Sequence, residues 1–240
     1  MNLIQYLGLV NLTSDLKLDR TKEQLKKYLF NKGYFKSEIT DSTSILDNGQ
    51  IDIQYFIKLR EPMYLSSIKY QSPEILISSY LDSTRSNSFL KKGAIFDTDN
   101  LVKERNRIND FLTNRGFYNF NKEFIYFDID TNYVSKTVNI ILGIQNYKKI
   151  DKINNSYQDL THKQFKISKV NIQIGDSTKF NNIAKLDSIE NSFFKIVNYQ
   201  PINFKSKVFK NSILFKKDDY YKKRIPQQTY RSLISLGLFK

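Results

Sequence analysis

Residues 101–118 read LVKERNRINDFLTNRGFY, and they contain the pattern on which the fold prediction rests. Ile108 and Leu112 lie four places apart, on one face of a helix whose other positions are mostly polar or charged. Gly116 stands where many helices end in a left-handed residue. The two aromatic residues after it are expected to fold back onto the core. The stretch therefore predicts an amphipathic helix with a glycine–aromatic end.

This pattern occurs three times along the chain. Residues 21–35 read TKEQLKKYLFNKGYF, and residues 229–239 read TYRSLISLGLF. In the first copy Thr21 is expected to be the N-cap of the helix and Gln24 to complete a capping box, while Tyr28 shares the buried face with Leu25 and Leu29. The helix-end motifs comprise Gly33, Tyr34, Phe35, Gly116, Phe117, Tyr118, Gly237 and Phe239. Three copies indicate an internal repeat.

A β-hairpin is predicted after each of the first two helices. Residues 35–45 lead to a tight turn at Asp47-Asn48-Gly49, and the odd-numbered residues from Ile51 to Leu59 share one face of the return strand. The second hairpin is expected to begin at 124–130 and to turn near Thr131-Asn132. Its return strand carries apolar side chains at the even positions from Val138 to Ile144.

Further strands are predicted at 64–70 and 166–174, with a helix near 74–81. Each complete unit is then strand, helix, helix, strand, strand, which is an α+β arrangement. The expected divisions are a partial unit at 1–61, a complete unit at 62–146, a polar linker or insert at 147–164, and a C-terminally truncated unit at 165–240. The short joint at 60–62 is predicted to be rigid because Pro62 stiffens it, and the insert to be a looser joint.

The composition restricts the function classes. The 240 residues carry 38 Lys and Arg against 24 Asp and Glu, a net charge of +14 that favours anionic partners, although the lysines are scattered and codon bias alone would explain them. There is no Cys, and the one His, His162, is expected to be a solvated loop residue. Asp97 and Asp99 are expected to favour a helix start. No catalytic, metal or cofactor site is predicted.

Four phrases carry a resemblance to a known family: NKGYF (31–35), NRGFYNF (114–120), KKGAIFDTDNLVKERNRINDFL (91–112) and FKKDDYYKKRIPQQTYRSLISLGLFK (215–240). With the unit order, they resemble the POTRA domains of outer-membrane β-barrel assembly proteins of the BamA/TamA superfamily. The wording is most similar to the TamL-type members of Bacteroidetes. The resemblance covers about residues 20–240 and implies tandem POTRA units, each a three-stranded mixed sheet backed by two helices.

The resemblance also implies a function. It implies a periplasmic arm attached to the outer membrane through a C-terminal β-barrel, with a role in inserting or exporting outer-membrane proteins and no catalytic residues. The implied partners are unfolded outer-membrane proteins, accessory lipoproteins or a TamB-like protein, and the chain's own barrel. Contact with anionic lipids is an accessory role that the positive charge would support.

The sheet order of the family implies that the first strand of each hairpin is an open edge. Such an edge offers unpaired N–H and C=O groups to an extended guest strand. The candidate client-binding residues are Lys36, Ser37, Glu38, Ile39, Thr40, Glu123, Phe124, Ile125, Tyr126 and Phe127. The alternative is that these edges are solvated or covered by a neighbouring unit.

A second class of function also fits the charge. A basic module without a barrel would bind nucleic acid or anionic membranes, and its affinity would fall steeply with salt. The aromatic residues fall at core spacing instead of forming an aromatic–basic platform, so nucleic acid is not the expected partner. No stretch of the sequence approaches the roughly 20 apolar residues of a membrane helix.

Overall fold

The computed structural model describes residues 18–151, 156–174, 187–190, 193–198 and 211–237. Its α-helices are α1 (Leu18–Asn31), α2 (Ile75–Ser83), α3 (Thr98–Thr113) and α4 (Arg224–Ile234). Its strands are β1 (Glu38–Ile45), β2 (Ile51–Lys58), β3 (Tyr64–Gln71), β4 (Ile125–Asn132), β5 (Thr137–Ile144), β6 (Tyr147–Asp151), β7 (Ser156–Leu160), β8 (Val170–Ile174), β9 (Asp187–Glu190) and β10 (Phe194–Asn198). The chain is therefore of the α+β class.

A three-stranded mixed sheet with the order β3-β5-β4 follows the first hairpin. β5 is central, parallel to β3 and antiparallel to β4. The even-numbered residues of β5 from Val138 to Ile144 are all at most 2% exposed, as the alternation predicts. Val138 and Ile140 pack with Met63, Phe96 and Leu101 in one buried cluster. This confirms the predicted mixed sheet with an apolar inner face.

The first hairpin has the predicted position, but its apolar face is less buried than predicted. β1 and β2 pair antiparallel from Glu38 opposite Lys58 to Ile45 opposite Ile51, around a turn that contains Gly49. Ile57 is 46% exposed although the alternation predicts a buried face. The described sheet here has two strands instead of three, so it offers less surface against which this face can be buried.

The same sheet order recurs later in the chain. In the sheet β8-β10-β9, the last strand is again central, parallel to β8 and antiparallel to β9. Between the two three-stranded sheets, residues 147–164 contain the antiparallel hairpin of β6 and β7, where the sequence predicted a polar linker or insert. β8 begins at Val170, four residues later than the predicted strand.

The helix ends have the predicted left-handed glycines: φ is 89° at Gly33, 101° at Gly116 and 66° at Gly237. After α1, the Tyr34 N–H donates to the Leu29 carbonyl at 2.9 Å and the Gly33 N–H to the Phe30 carbonyl at 3.0 Å. These two bonds are the Schellman arrangement, which satisfies carbonyls that the helix end leaves open. Phe239, the last residue of the predicted motifs, lies outside the described residues.

Three local predictions were wrong. α1 begins at Leu18, which is buried, so Thr21 lies inside the helix and is not its N-cap. Tyr28 is 59% exposed, because the buried stripe of α1 runs through Leu29 instead. The second hairpin turns at 133–136, later than predicted, since the Asn132 Oδ1 atom accepts the N–H groups of two residues inside the turn.

Contacts divide the chain into two compact units. The first consists of Met1–Arg105 and Ile125–Ile144, and the second of Asn106–Phe124 and Gln145–Lys240. The boundaries of the repeat units at 61, 146 and 164 stay predictions. No α-helix within the described ranges is both long enough and apolar enough to cross a bilayer.

Candidate strand-binding edge

β4 lies at one edge of the three-stranded sheet, and β5 is the described strand that pairs with it. The Tyr64 N–H donates to the carbonyl of Lys136, the residue directly before β5, at 2.9 Å. Since successive residues of a strand point their N–H and C=O groups to opposite sides, the even-numbered residues of β5 direct these groups toward β3. The odd-numbered residues of β5 therefore direct theirs toward β4. They stand opposite the even-numbered residues of β4, from Tyr126 to Asn132.

The remaining residues of β4 turn their backbone groups away from β5. These are Ile125, Phe127, Ile129 and Thr131, which occupy the non-hydrogen-bonded positions of the antiparallel pair. Their N–H and C=O groups form a regular outward row on an edge strand of eight residues. This row is the backbone pattern that an added strand would need.

The opposite edge of the sheet is partly covered by the chain itself. The Leu65 N–H donates to the Ala94 carbonyl at 2.8 Å, and the Gly93 N–H to the Leu65 carbonyl at 2.7 Å. Tyr64 forms an antiparallel bridge with Ile95 in the same segment. The first half of β3 is therefore already paired, which leaves β4 as the longer free edge of this sheet among the described residues.

The two faces of β4 differ. On the inner face Ile125 is buried, and the ring of Phe127 receives the Arg105 guanidinium at 5.2 Å. Asp128 and Asp130 are exposed on the outer face. The ring of Tyr126 covers Gly143 on β5, where a Cβ would lie 2.0 Å from the ring.

Some of the predicted edge residues lie outside the strands. Glu123 and Phe124 belong to the 3₁₀ turn Lys122–Phe124, because the Asn121 side chain accepts the Glu123 N–H at 2.8 Å and starts a local turn. Lys36 and Ser37 precede β1. The other six predicted residues are in strands: Glu38, Ile39 and Thr40 in β1, and Ile125, Tyr126 and Phe127 in β4.

A salt bridge links the β1 edge to α1. The Leu46 N–H donates to the Gln50 carbonyl at 2.8 Å, so the even-numbered residues of β1 direct their backbone groups toward β2. Ile39, Asp41 and the following odd-numbered residues therefore direct theirs outward. Lys22 of α1 contacts Asp41 at 2.7 Å. The hydrogen bonds that the Lys22 ammonium donates to Asp19 and Asp41 raise the pKa of Lys22, so it stays charged. Charged side chains of this kind are a common protection of sheet edges.

The glycine turn at the end of α1 is hydrogen-bonded to Met63, the residue directly before β3. The Met63 N–H donates to the Gly33 carbonyl at 2.9 Å, and the Met63 carbonyl accepts the Phe96 N–H at 2.8 Å. The ring of Phe35 packs edge-on against Phe96, with 5.5 Å between centroids. We call this set of contacts the first joint.

A second joint repeats these contacts. The Phe165 N–H donates to the Gly116 carbonyl at 2.8 Å, and the Phe165 carbonyl accepts the Tyr221 N–H at 2.8 Å. The ring of Tyr118 packs edge-on against Tyr221, with 4.8 Å between centroids. The two units thus share the helix-end motif and also the contacts that this motif makes with residues far away in the sequence.

Each joint has an ion pair between the end of one helix and the start of another. In the first joint the Lys32 ammonium lies 3.0 Å from Asp97 and 2.7 Å from Asp99. The hydrogen bonds that Lys32 donates to these carboxylates raise the pKa of Lys32, and the Lys32 ammonium lowers the pKa of Asp99. Asp97 also accepts the Asp99 N–H at 2.8 Å, so the expected helix-start role is present together with an ion pair that was not predicted.

The ion pair of the second joint has the opposite polarity. Here the helix end supplies the acid, Asp110, and the helix start supplies the base, Lys223, at 2.9 Å. The Arg224 N–H donates to the Asn114 side chain at 3.1 Å. Sequence reasoning missed these partners; the one available signal was that polar side chains flank each glycine motif.

His162 lies in a loop, as expected, but it is half-buried and has contacts that were not predicted. Its Nε2 atom lies 3.1 Å from the Gln145 carbonyl oxygen, and its ring lies 5.0 Å from Phe120 and 4.8 Å from Phe124. The β6–β7 hairpin precedes His162 directly in the sequence. Within the described ranges, no three His, Asp or Glu side chains converge as a metal site would require.

Comparison with known proteins found no matching family model and no matching curated protein. Among solved structures, the chain is similar to POTRA domains 3–5 of BamA from Haemophilus influenzae, with 11% identity over 93% of this chain and 71% of that chain and a TM-score of 0.42. BamA from Haemophilus ducreyi lacking POTRA domains 1–3 matches at 18% identity over 56% and 24%, with a TM-score of 0.34. POTRA domains 1–3 of Omp85 from Anabaena match at 11% identity over 88% and 68%, with a TM-score of 0.28. Likenesses of this degree assign no function to the chain.

Proposed function

We propose that this chain is a POTRA-type arm that holds extended segments of unfolded outer-membrane proteins by adding them as a strand to β4. The observation that carries the proposal is the outward row of backbone groups at Ile125, Phe127, Ile129 and Thr131. An edge strand of this kind can pair with a guest through main-chain hydrogen bonds. The chain would act by binding alone, without catalysis.

The length and chemistry of β4 suit such clients. Transmembrane β-strands are about 9–11 residues long and alternate apolar with polar side chains. β4 has eight residues, with Phe127 on one face and Asp128 and Asp130 on the other. Main-chain bonds do not depend on client sequence, so one edge can accept many different segments.

The joints would supply the second half of the function. An arm that presents client edges needs its sheets held in place. Each joint uses two backbone hydrogen bonds, one aromatic pair and one lysine, which is paired with two carboxylates in the first joint and with one in the second. The short segment at 60–62 feeds Met63 directly into the first joint. These hydrogen bonds, the aromatic pair and the ion pairs would make the first joint rigid, in addition to the stiffening expected from Pro62.

The finer assignment follows from the sequence phrases and the unit order. β3, α2, α3, β4 and β5 follow one another as strand, helix, helix, strand, strand. On this basis the chain is a periplasmic part of a BamA/TamA-like assembly factor of the TamL type, linked to an outer-membrane β-barrel. Accessory lipoproteins or a TamB-like protein would be its stable partners, and unfolded outer-membrane proteins its clients.

A proline variant tests strand addition. Ile129→Pro removes an outward N–H group and leaves the β4–β5 ladder intact, because proline is tolerated on the free side of an edge strand. We expect its affinity for a peptide of about ten alternating residues to fall about tenfold or more. Ile129→Val, which keeps the N–H, is expected to bind like the parent chain.

The folded state of the proline variant is checked by circular dichroism, and Thr131→Pro serves as the second variant. If both proline variants are folded and bind the peptide as tightly as the parent chain, strand addition to β4 is wrong. If affinity instead falls steeply with salt and DNA or anionic vesicles compete, the basic-module alternative is favoured.

A further inference from the structure

A cavity borders each of the two joints. The first, of about 600 Å³, is lined by Phe35 and Met63 of the first joint together with Tyr133 and charged residues. The second, of about 670 Å³, is lined by Phe117 and Phe165 of the second joint. The cavities therefore occupy corresponding places in the repeat, and their chemistry can be compared directly.

Ion pairs line the first cavity. Arg60 contacts Glu38 at 2.6 Å, and Lys136 pairs with Glu61. All four side chains belong to the lining. An apolar guest would remove water from these charged groups without replacing its hydrogen bonds. This cavity is therefore poorly suited to an apolar group.

Aromatic rings form the wall of the second cavity: Phe117, Phe120, Tyr147, His162 and Phe165. The lining of the first cavity contains two rings, Phe35 and Tyr133, beside five charged side chains. With five rings and two charged side chains, the second cavity is the better suited of the two to an aromatic guest.

The rings of this wall are held in place. The His162 ring is held by the contact of its Nε2 atom with the Gln145 carbonyl, and the Phe165 ring packs edge-on against Tyr118 with 6.1 Å between centroids. Phe117 is 1% exposed. A wall that is already ordered loses little entropy when a guest binds, which favours affinity.

The rim of the cavity is electrically balanced. It carries one acid, Asp159, and one base, Lys163, beside the amide of Asn119. A phosphate or another anion would meet the Asp159 carboxylate, and a cation would meet Lys163. A neutral group that presents ring edges and faces fits both the wall and the rim.

We infer that this cavity binds an aromatic side chain carried by an extended protein segment. The inference rests on the proposed function for the class of partner. Wall rings pack edge-on with one another, as Phe120 and His162 do with 5.0 Å between centroids, and a guest ring would continue that arrangement.

The composition of the chain makes a direct test practicable. The chain has no Trp, so tryptophan fluorescence reports only the probe, and it has one His, so the imidazole NMR signals belong to His162. The probes are N-acetyl-tryptophanamide and two otherwise identical peptides of about ten residues, with Trp or Leu at one position. We expect the Trp peptide to bind about tenfold more tightly and both Trp probes to shift the His162 signals.

Two matched variants locate the binding. Asn119→Phe places a ring into the cavity from its rim, and it is expected to remove the preference for Trp over Leu. Lys122→Phe adds the same ring at an exposed position that does not line the cavity, and it is expected to keep the preference. Thr161→Phe, also on the lining, repeats the first test if Asn119→Phe does not fold.

The outcomes separate this inference from the proposed function. If the peptides protect the β4 amides but Trp and Leu bind equally and His162 does not shift, the cavity inference is wrong and strand addition stands. If N-acetyl-tryptophanamide shifts His162 while no peptide protects β4, the cavity binds aromatic groups and strand addition is wrong. Failure of every probe overturns both.

Discussion

At the scale of single residues, Gly33 shows how one position combines two requirements. Its φ of 89° is in the left-handed region, and a Cβ there would lie 2.6 Å from the Phe96 carbonyl oxygen. The first requirement follows from the helix end and is visible in the sequence. The second comes from a residue far away in the chain, so only the folded structure reveals it.

Replacing Gly33 should therefore cost more stability than replacing a glycine that meets only the first requirement. Gly49 is the matched control, since its φ is 79° and a Cβ there would meet nothing within 4 Å. We expect Gly49→Ala to lower the free energy of unfolding by about 1–2 kcal/mol, the ordinary cost of a left-handed alanine. Gly33→Ala should cost clearly more in urea unfolding. Equal losses would show that the close approach to Phe96 does not constrain the first joint.

At the scale of elements, the sequence predicted most of the helices and strands and misplaced several of their ends. Asn-Gly located the first hairpin, and the alternation from Val138 to Ile144 located the central strand. The errors at Glu123 and Asn132 have one cause: Asn121 and Asn132 bond to nearby backbone N–H groups and form local turns. Such bonds compete with strand pairing, and hydrophobic periodicity does not report them.

The ion pair that links α1 to the start of α3 should make the first joint sensitive to acid. Lys32 lowers the pKa of Asp99, so the contribution of this carboxylate to stability is present above its ordinary pKa of about 3.9 and is lost as the pH falls through the lowered value. Asp99→Asn should therefore destabilise the chain in urea at neutral pH, and destabilise it less at an acidic pH below about 3.9.

Asp128→Asn, on the exposed face of β4, is the control for this experiment. It is expected to change stability little at either pH, because surface carboxylates contribute little. A loss from Asp99→Asn that is the same at both pH values would contradict the assigned role of the ion pair. The raised pKa of Lys32 has no effect in this range, since it acts only in strong alkali.

At the scale of the whole molecule, the repeat continues into the joints, and this continuity was only partly predictable. The three glycine motifs predicted repeated helices, and Pro62 predicted a stiff first joint. The backbone partners of Met63 and Phe165 could not be predicted, since each joint closes over residues far apart in the sequence. The aromatic cavity beside His162 was missed for the same reason: its rings come from separate segments, and the sequence pattern indicated only a polar insert.

The opposite polarity of the two ion pairs gives a charge-reversal prediction. Lys223→Asp places two acids together at the second joint, and we expect the Lys223 and Arg224 amides, which bond to Thr113 and Asn114, to exchange faster with solvent. Adding Asp110→Lys restores an ion pair and should restore the slow exchange. If the double variant exchanges as fast as the single one, Asp110 and Lys223 do not act as a pair.

Hydrogen exchange on the client complex tests the central claim most directly. The full chain is bound to a peptide of about ten alternating residues, and the β4 amides are followed one by one. We expect new protection at Ile125, Phe127, Ile129 and Thr131, the outward row, and no change at the intervening even-numbered residues, which already bond to β5. Binding that leaves the four outward amides unprotected would contradict strand addition at this edge.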